Sequence, residues 1–372
     1  MMTQDKIMTL ETPCIVVDLA QMTSNIRKMQ EKANQYNCRL RPHIKTHKIP
    51  DFAKMQLAHG AVGITSAKIS EAEVMADSGI DDIFIAYPQV GNKRLERAIK
   101  LAKRVKRLIL AVDSIEVALP LNQVAEQAGI SLEVRLEVDT GAKRTGAIRS
   151  KVVDLAKAVK QLPHLNLTGI YTFKSLIYQE KPTEHAEQAA LEEGELMASI
   201  ALELEKAGIY LQDISAGSTP TGLAVAKTGL VNEIRPGTYI FNDYMLYRQG
   251  IVKLEDIAAK IYATVVSTPT KEYAVIDGGS KTFPTDTLLN CPPYYYSGYG
   301  IVENNDDLQL NRLSEEHGII TSKRGDTKLQ VGDVLSLIPI HICPAINLQN
   351  RIYIDEGEGL IQKEVAARGM LV

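Results

Sequence analysis

A chain of 372 residues with 45% hydrophobic content is long enough for two domains, each with its own core. The formal net charge of −3 comes from interspersed residues without long blocks of one sign, which argues against a nucleic-acid groove and points to a small-molecule partner. The four cysteines (Cys14, Cys38, Cys291, Cys343) show no CxxC spacing and the start "MMTQDKIMTLETP" no signal-like apolar run, which disfavours a disulfide scaffold, secretion and a membrane span, and makes the reducing cytoplasm the expected compartment.

The first elements are a strand, "TPCIVVDL", and a helix, "AQMTSNIRKMQEKANQY"; they precede the main strand-helix series and either dock onto the C-terminal part or cap that series. From about residue 39 to 241, eight β-branched runs alternate with stretches of helical length: "RLRPHIK", "AVGITSA", "DIFIAYP", "RLILAVDS", "LEVRLEVDTG", "LNLTGIYTF", "LQDISAGST" and "EIRPGTYIF". Between the second and third, Ile69, Ala72, Val74, Met75 and Ala76 form one apolar face and Gly79 supplies a C-cap. Repeated strand-then-helix units imply parallel pairing. Without a GxGxxG turn to open the series, the α/β class expected is a (β/α)8 TIM barrel rather than an open doubly wound sheet. After residue 250, "KIYATVVST", "EYAVIDGGS", "YSGYGIVE", "DVLSLIPIHICP" and "RIYIDEG" are strands separated by Gly, Pro and Asn turns, with almost no helical period. The expected domains are a barrel over 13–248 and a second, C-terminal all-β domain over 249–372, which residues 1–12 could join.

The active site of such a barrel lies at the C-terminal ends of its strands, and Lys45 falls at the end of the first. There the stretch "RLRPHIKTHK" gathers Arg41, His43, His47 and Lys48, cations that would disfavour the charged form of Lys45 and make it a nucleophile. The plainer reading is a basic surface loop. "AGSTPT" after strand seven supplies Gly217, Ser218 and Thr219, and "RPGTY" in strand eight supplies Gly237 and Thr238; both can donate to a phosphate. A first-strand lysine with a phosphate cup across the barrel is what pyridoxal phosphate requires at its aldehyde and phosphate ends. In "IPIHICPAINL", His341 and Cys343 stand two apart in a strand-like run, so both should project from one face, and imidazole with thiolate suits zinc. A half-buried histidine beside a core cysteine is the alternative. His317 and His185 are further candidate ligands or bases, each also readable as a solvated turn residue. Tyr171, Tyr178, Tyr239 and Tyr244 are candidate ring contacts or acids, with packing as the default for each.

Taken together, "RPHIKTHK", "GSTPT", "RPGTY", "SEEHG" and "PIHICPAINL" resemble the D-serine dehydratase and D-threonine aldolase family of alanine-racemase-like (fold type III) pyridoxal-phosphate enzymes. The resemblance runs from about residue 10 to the C-terminus. It implies that Lys45 carries pyridoxal 5'-phosphate, with His43, Arg144, Tyr171, Gly217, Ser218, Thr219, Arg235, Gly237, Thr238 and Tyr239 around the cofactor and Tyr178 beside Lys45 as a catalytic residue. It implies a divalent metal, zinc by ligand type, on His341 and Cys343, since the dehydratase branch resembles this chain in its His-x-Cys pair while the aldolase branch has His-x-Asp. It also implies a homodimer. Arg235 resembles the arginine facing the pyridine nitrogen, and Arg144 is a second candidate near the ring or the substrate carboxylate. One departure stands out: relatives carry a Gly-His or similar polar pair where this chain has Phe173, Lys174 and Ser175.

The reaction implied is β-elimination from a D-3-hydroxy amino acid, most simply D-serine to pyruvate and ammonia. Its rival is retro-aldol cleavage to glycine and an aldehyde. Racemisation would leave His341 and Cys343 idle, and a non-catalytic pyridoxal-phosphate carrier would not need the β domain.

Overall fold

The computed structural model describes residues 4–7 and 9–372. The chain divides into two compact units, one of Met1–Ile26, Thr46–Lys48 and Thr238–Gly369, the other of Arg27–Lys45, Ile49–Gly237 and Met370–Val372.

The second unit is the barrel. Its eight parallel strands are Arg39–Leu40, Ile64–Ser66, Asp82–Pro88, Arg107–Val112, Leu132–Asp139, Leu165–Tyr171, Asp213–Ser215 and Glu233–Ile234, with the eighth paired to the first. A bridge between His43 and Thr65, with Thr65 N–H donating to Pro42 O at 2.8 Å, joins the first strand to the second and closes the circle. Strands three to five bury runs such as Ile83–Ile85 and Leu108–Val112 completely or nearly so, as strands covered on both faces must. The first and eighth are only two residues long. Pro42 and Pro236 have no N–H for the ladder, so the chain turns into short 3-10 helices, Ile44–Thr46 and Thr238–Ile240.

At the start of the strands lies an ion network that the charge pattern does not reveal. Arg135 reaches Glu233 at 2.5 Å and Asp213 at 2.7 Å, while Arg41 reaches Glu233 at 3.0 Å and Asp82 at 2.5 Å. Arg41, Arg135 and Glu233 are fully buried. This corrects the reading of "RLRPHIKTHK": Arg41 is neutralised inside the barrel, and Lys48 lies buried with Nζ 3.4 Å from Ala367 O. Neither belongs to a crowd of free cations around Lys45.

Burial alone would push the Glu233 carboxyl up, but Arg135 and Arg41 outweigh it and hold the group below the usual carboxylate range. A depressed carboxyl stabilises the fold above its unfolded value of ~4.3, and that contribution is lost as pH falls through the lower folded value. Stability is therefore expected to drop on acidification below about pH 4.5. Glu233→Ala, which takes from each of two buried guanidinium groups one of its two carboxylate partners, should cost about 3 kcal/mol at neutral pH. Denaturant unfolding checks both; an unchanged midpoint would contradict them.

The first unit is β-rich. Six antiparallel strands close on themselves: Ala259–Thr270, Tyr273–Ile276, Gly318–Ser322, Leu308–Leu313, Gly300–Val302 and Val334–Pro339. Cys14–Asp18 extends this sheet, pairing antiparallel with Ala259–Tyr262 and parallel with Tyr353–Asp355. The boundary expected at 248/249 therefore differs from the observed units. Cys14 to Val17 are buried throughout and need a strand on either side, and Met245 N–H donates to Ile340 O at 3.0 Å within the same unit. No helix among the described residues is long and apolar enough to cross a membrane.

Candidate active site

Lys45 sits in the middle of the 3-10 turn that comes after the His43–Thr65 bridge, half-buried, with its N–H donating to His43 Nδ1 at 3.4 Å. Its Nζ lies 5.8 Å from the centroid of the Phe173 ring, and the Arg144 guanidinium lies 4.6 Å from the same ring. Phe173, a departure from the expected polar pair, is thus an aromatic platform for two cations. The next residue, Lys174, is almost fully buried and pairs with Glu192, which also accepts the Gln179 N–H at 3.2 Å. Ser175 takes a left-handed φ of 59°, turning the chain into the hairpin of Ile177–Tyr178 and Lys181–Pro182. Tyr178 stands in that hairpin, half-buried, its hydroxyl accepting from Gln179 Nε2 at 3.3 Å.

The two small-residue segments come together. Gly237 N–H donates to Thr219 Oγ1 at 3.2 Å, and Arg235 N–H donates to Gly217 O at 3.1 Å. At Gly217, with φ of 90°, a Cβ would lie 2.7 Å from Gly222 Cα, so only glycine allows the loop to double back this tightly. Ser218 N–H donates to Thr221 Oγ1 at 3.2 Å. The result is a close-packed turn of backbone donors and hydroxyls after strands seven and eight, where barrels bind phosphate.

Arg235 is buried, with Nη1 donating to Ser215 Oγ and Nη2 to Thr172 O, each at 2.5 Å, and it lies 5.1 Å over the Tyr171 ring. Burial lowers its pKa against the pull of Glu233. Ser215 Oγ passes the contact on to Glu233 Oε1 at 2.7 Å, which ties Arg235 to the ion network below. Tyr171 packs in the barrel interior with Phe84, Ile109 and Ala111, and its hydroxyl donates to Glu137 Oε2 at 3.0 Å. Both ends of Tyr171 are occupied, so its part is to support Arg235 rather than to offer a free hydroxyl.

In the β-rich unit, His341 and Cys343 do meet, though not by strand alternation. The strand ends at Pro339; His341 caps the helix Ile342–Leu348, and Cys343 lies in its first turn. Asp243 fixes this turn, accepting the Ile342 N–H at 3.1 Å and the Leu246 N–H at 3.0 Å. His341 Nδ1 bonds Asp286 Oδ2 at 2.7 Å, and the imidazole also feels the charge of the Cys343 thiol. Cys343 Sγ lies 3.2 Å from Thr46 Oγ1 and 3.5 Å from Thr238 Oγ1, so the hydroxyl of Thr238, expected at the phosphate, faces sulfur. Tyr239 is buried beside it in the same 3-10 turn, and Tyr244 opens the next short helix.

Burial opposes charge on both members of the pair. Cys343 and Asp286 nevertheless raise His341 well above its usual value, and His341 with the two threonine hydroxyls holds the Cys343 thiol below its own. Cys14 and Cys38 behave oppositely, pushed up to about 12 by burial. Among the described residues no group of three or more His, Cys, Asp or Glu is placed to hold a metal. His317 is exposed in the turn before Gly318–Ser322, and His185 is exposed ahead of helix Ala186–Lys206. Asp286 and Asp243, the residues that orient the pair, had no local sequence signal.

Residues 17–245 match the alanine racemase N-terminal domain, and residues 258–354 match the serine dehydratase domain. The D-threonine aldolase of Arthrobacter sp. is 31% identical over 98% of this chain and 94% of its own length. The D-serine dehydratase of Dictyostelium discoideum is 29% identical over 91% of this chain and 92% of its own. The solved structure of D-threo-3-hydroxyaspartate dehydratase from Delftia sp. HT23 superposes with a TM-score of 0.88 at 29% identity, covering 97% of this chain and 99% of that one. A variant of that enzyme with a cysteine replaced by alanine, in the metal-free form, superposes with a TM-score of 0.87. With both domains matched in order and relatives aligned end to end, the chain belongs to the alanine-racemase-like family of lyases that includes the D-threonine aldolases and D-serine dehydratases.

Proposed function

We propose that this lyase is a pyridoxal-phosphate- and zinc-dependent D-serine dehydratase, converting D-serine to pyruvate and ammonia. The observation that carries the reading is the His341–Cys343 pair, an imidazole and a thiol brought to one helix start, with Asp286 on His341 Nδ1. A carboxylate behind a histidine fixes the ring for a metal, and a borderline-soft N,S pair favours zinc. Two protein ligands leave positions open for a substrate hydroxyl or water, as in catalytic rather than structural sites. The Gly217 cradle and the hydroxyls of Ser218 and Thr219 suit a phosphate, and Lys45 stands half-buried at a barrel mouth for the aldehyde. Thr46, which touches Cys343, comes directly after Lys45 in the chain.

When bound, pyridoxal phosphate supplies an electron sink that acidifies the Cα–H of the substrate amino acid, and the divalent ion supplies a Lewis acid for its β-hydroxyl. Lys45 Nζ takes the proton from Cα. His341 and Cys343 hold the ion, with Asp286 keeping the imidazole in place and the hydroxyls of Thr46 and Thr238 steadying the thiolate. The 217–219 loop and Gly237 fix the phosphate end, and Arg235, backed by Tyr171 and Ser215, presents its guanidinium to the ring. Arg144, held against Phe173, is placed for the substrate carboxylate. Tyr178, in the neighbouring hairpin, is the candidate acid at the departing hydroxyl.

Retro-aldol cleavage is the second reading, favoured by the 31% identity to the D-threonine aldolase. Product analysis separates the two: D-serine should give keto acid, whereas glycine and an aldehyde from D-threonine as the faster reaction would reverse the assignment. A cytoplasmic homodimer completes the proposal. Light scattering should return about twice the 41.0 kDa chain mass.

A further inference from the structure

Behind the phosphate loop lies a carboxyl with no part in the proposed chemistry. Glu193, on helix Ala186–Lys206, is fully buried. The helix is seated by Gly194, where a Cβ would come within 3.2 Å of Val225 and 3.3 Å of Leu230. Glu193 Oε2 accepts from Thr221 Oγ1 at 3.2 Å, and that hydroxyl in turn accepts the Ser218 N–H at 3.2 Å. Oε1 has no well-formed hydrogen bond, although the Gly217 N–H faces the carboxyl from the loop. The loop expected to hold a dianion is therefore backed by an acid with half its acceptor capacity idle.

Two cations face Glu193 from other elements, Arg235 after strand eight and Lys174 after strand six. Neither is its partner: Lys174 pairs with the adjacent Glu192, and Arg235 donates to Ser215 and Thr172. Burial, opposed by the Gly217 N–H, Arg235, Thr221 and Lys174, pushes the Glu193 carboxyl up to about 7. Near neutrality both protonation states are populated.

We propose that Glu193 is a proton-linked positioning residue: the loop Gly217–Thr221 holds the cofactor's phosphate with Glu193 protonated, and the charge of ionised Glu193 behind Gly217 weakens that hold. This rests on the pyridoxal-phosphate reading and adds to it a cofactor affinity coupled to one proton. Linkage gives the sign. A dianion in the loop raises the Glu193 pKa above its cofactor-free value, so binding takes up a proton and affinity falls as pH rises through neutrality.

The test is to titrate the cofactor-free wild type and Glu193→Gln with pyridoxal phosphate by absorbance from pH 6 to 8.5 and read the ratio of their affinities. Effects at Lys45 are common to both proteins and cancel. At pH 6 the two should agree within about twofold; at pH 8.5 the variant should bind about tenfold or more tightly than the wild type. A ratio that does not change with pH, including a variant that is uniformly weaker, would overturn the proposal and leave the cofactor assignment standing. Failure of both proteins to bind pyridoxal phosphate at any pH would overturn both. A second measurement needs no variant: sulfate, which does not titrate in this range, is bound to the cofactor-free wild type near pH 7.5 in two buffers of different ionisation heat. Uptake of about half a proton supports the coupling, and no uptake refutes it.

Discussion

Lys45→Ala is expected to lose both the bound cofactor and the lyase activity, with turnover falling by at least about a thousandfold. On the proposed reading Lys45 supplies the amine for the cofactor and is also the base at Cα, so one substitution would remove two functions. The fold should survive it. Lys45 is half-buried on a three-residue turn, and the barrel closes through His43, Thr65 and Pro42 without its side chain. Retained circular dichroism with absent cofactor colour is the expected pair of results; a variant that still turns over D-serine at a tenth of the wild-type rate or better would remove Lys45 from the mechanism.

Loss of the metal should have an effect of comparable size and a different signature. Hydroxide is a poor leaving group, so removing the Lewis acid should slow elimination by about a hundredfold or more while leaving cofactor binding nearly untouched. Chelation is expected to collapse keto-acid formation from D-serine with little change in cofactor absorbance, and zinc should restore it. Cys343→Ala should reproduce the chelated state. Cys343→Asp replaces the soft ligand by a hard one and should relax the preference for zinc, raising aldol cleavage relative to elimination. Full D-serine dehydration by both the chelated protein and Cys343→Ala would return the His341–Cys343 pair to a packing role.

The parts legible in the sequence are those whose physics is local. Strands such as Asp82–Pro88 and Arg107–Val112 are unbroken apolar runs, readable as covered parallel strands. The order of lysine, small-residue turns and His-x-Cys carried the family resemblance. What escaped was long-range. Arg41 reads as a surface cation until Glu233, 192 residues away, is seen to accept from it inside the barrel. Asp286 lies 55 residues before His341 and Glu193 lies 28 before Thr221, with nothing in either neighbourhood to mark them. The two-residue spacing of His341 and Cys343 reads as a strand pair, but Pro339 ends the strand, and a helix start rather than a pleat brings them together.

Lys174 sharpens the central question, because it is a second buried lysine after a barrel strand, in the segment that departs from the relatives, though it is committed to Glu192. The decisive measurement is borohydride reduction of the pyridoxal-phosphate-loaded protein, then peptide mapping. The label is expected on Lys45 alone, in the peptide containing "RPHIKTHK". Label on Lys48, on Lys174 or on any other lysine, with Lys45 unmodified, would contradict the assignment of the active site.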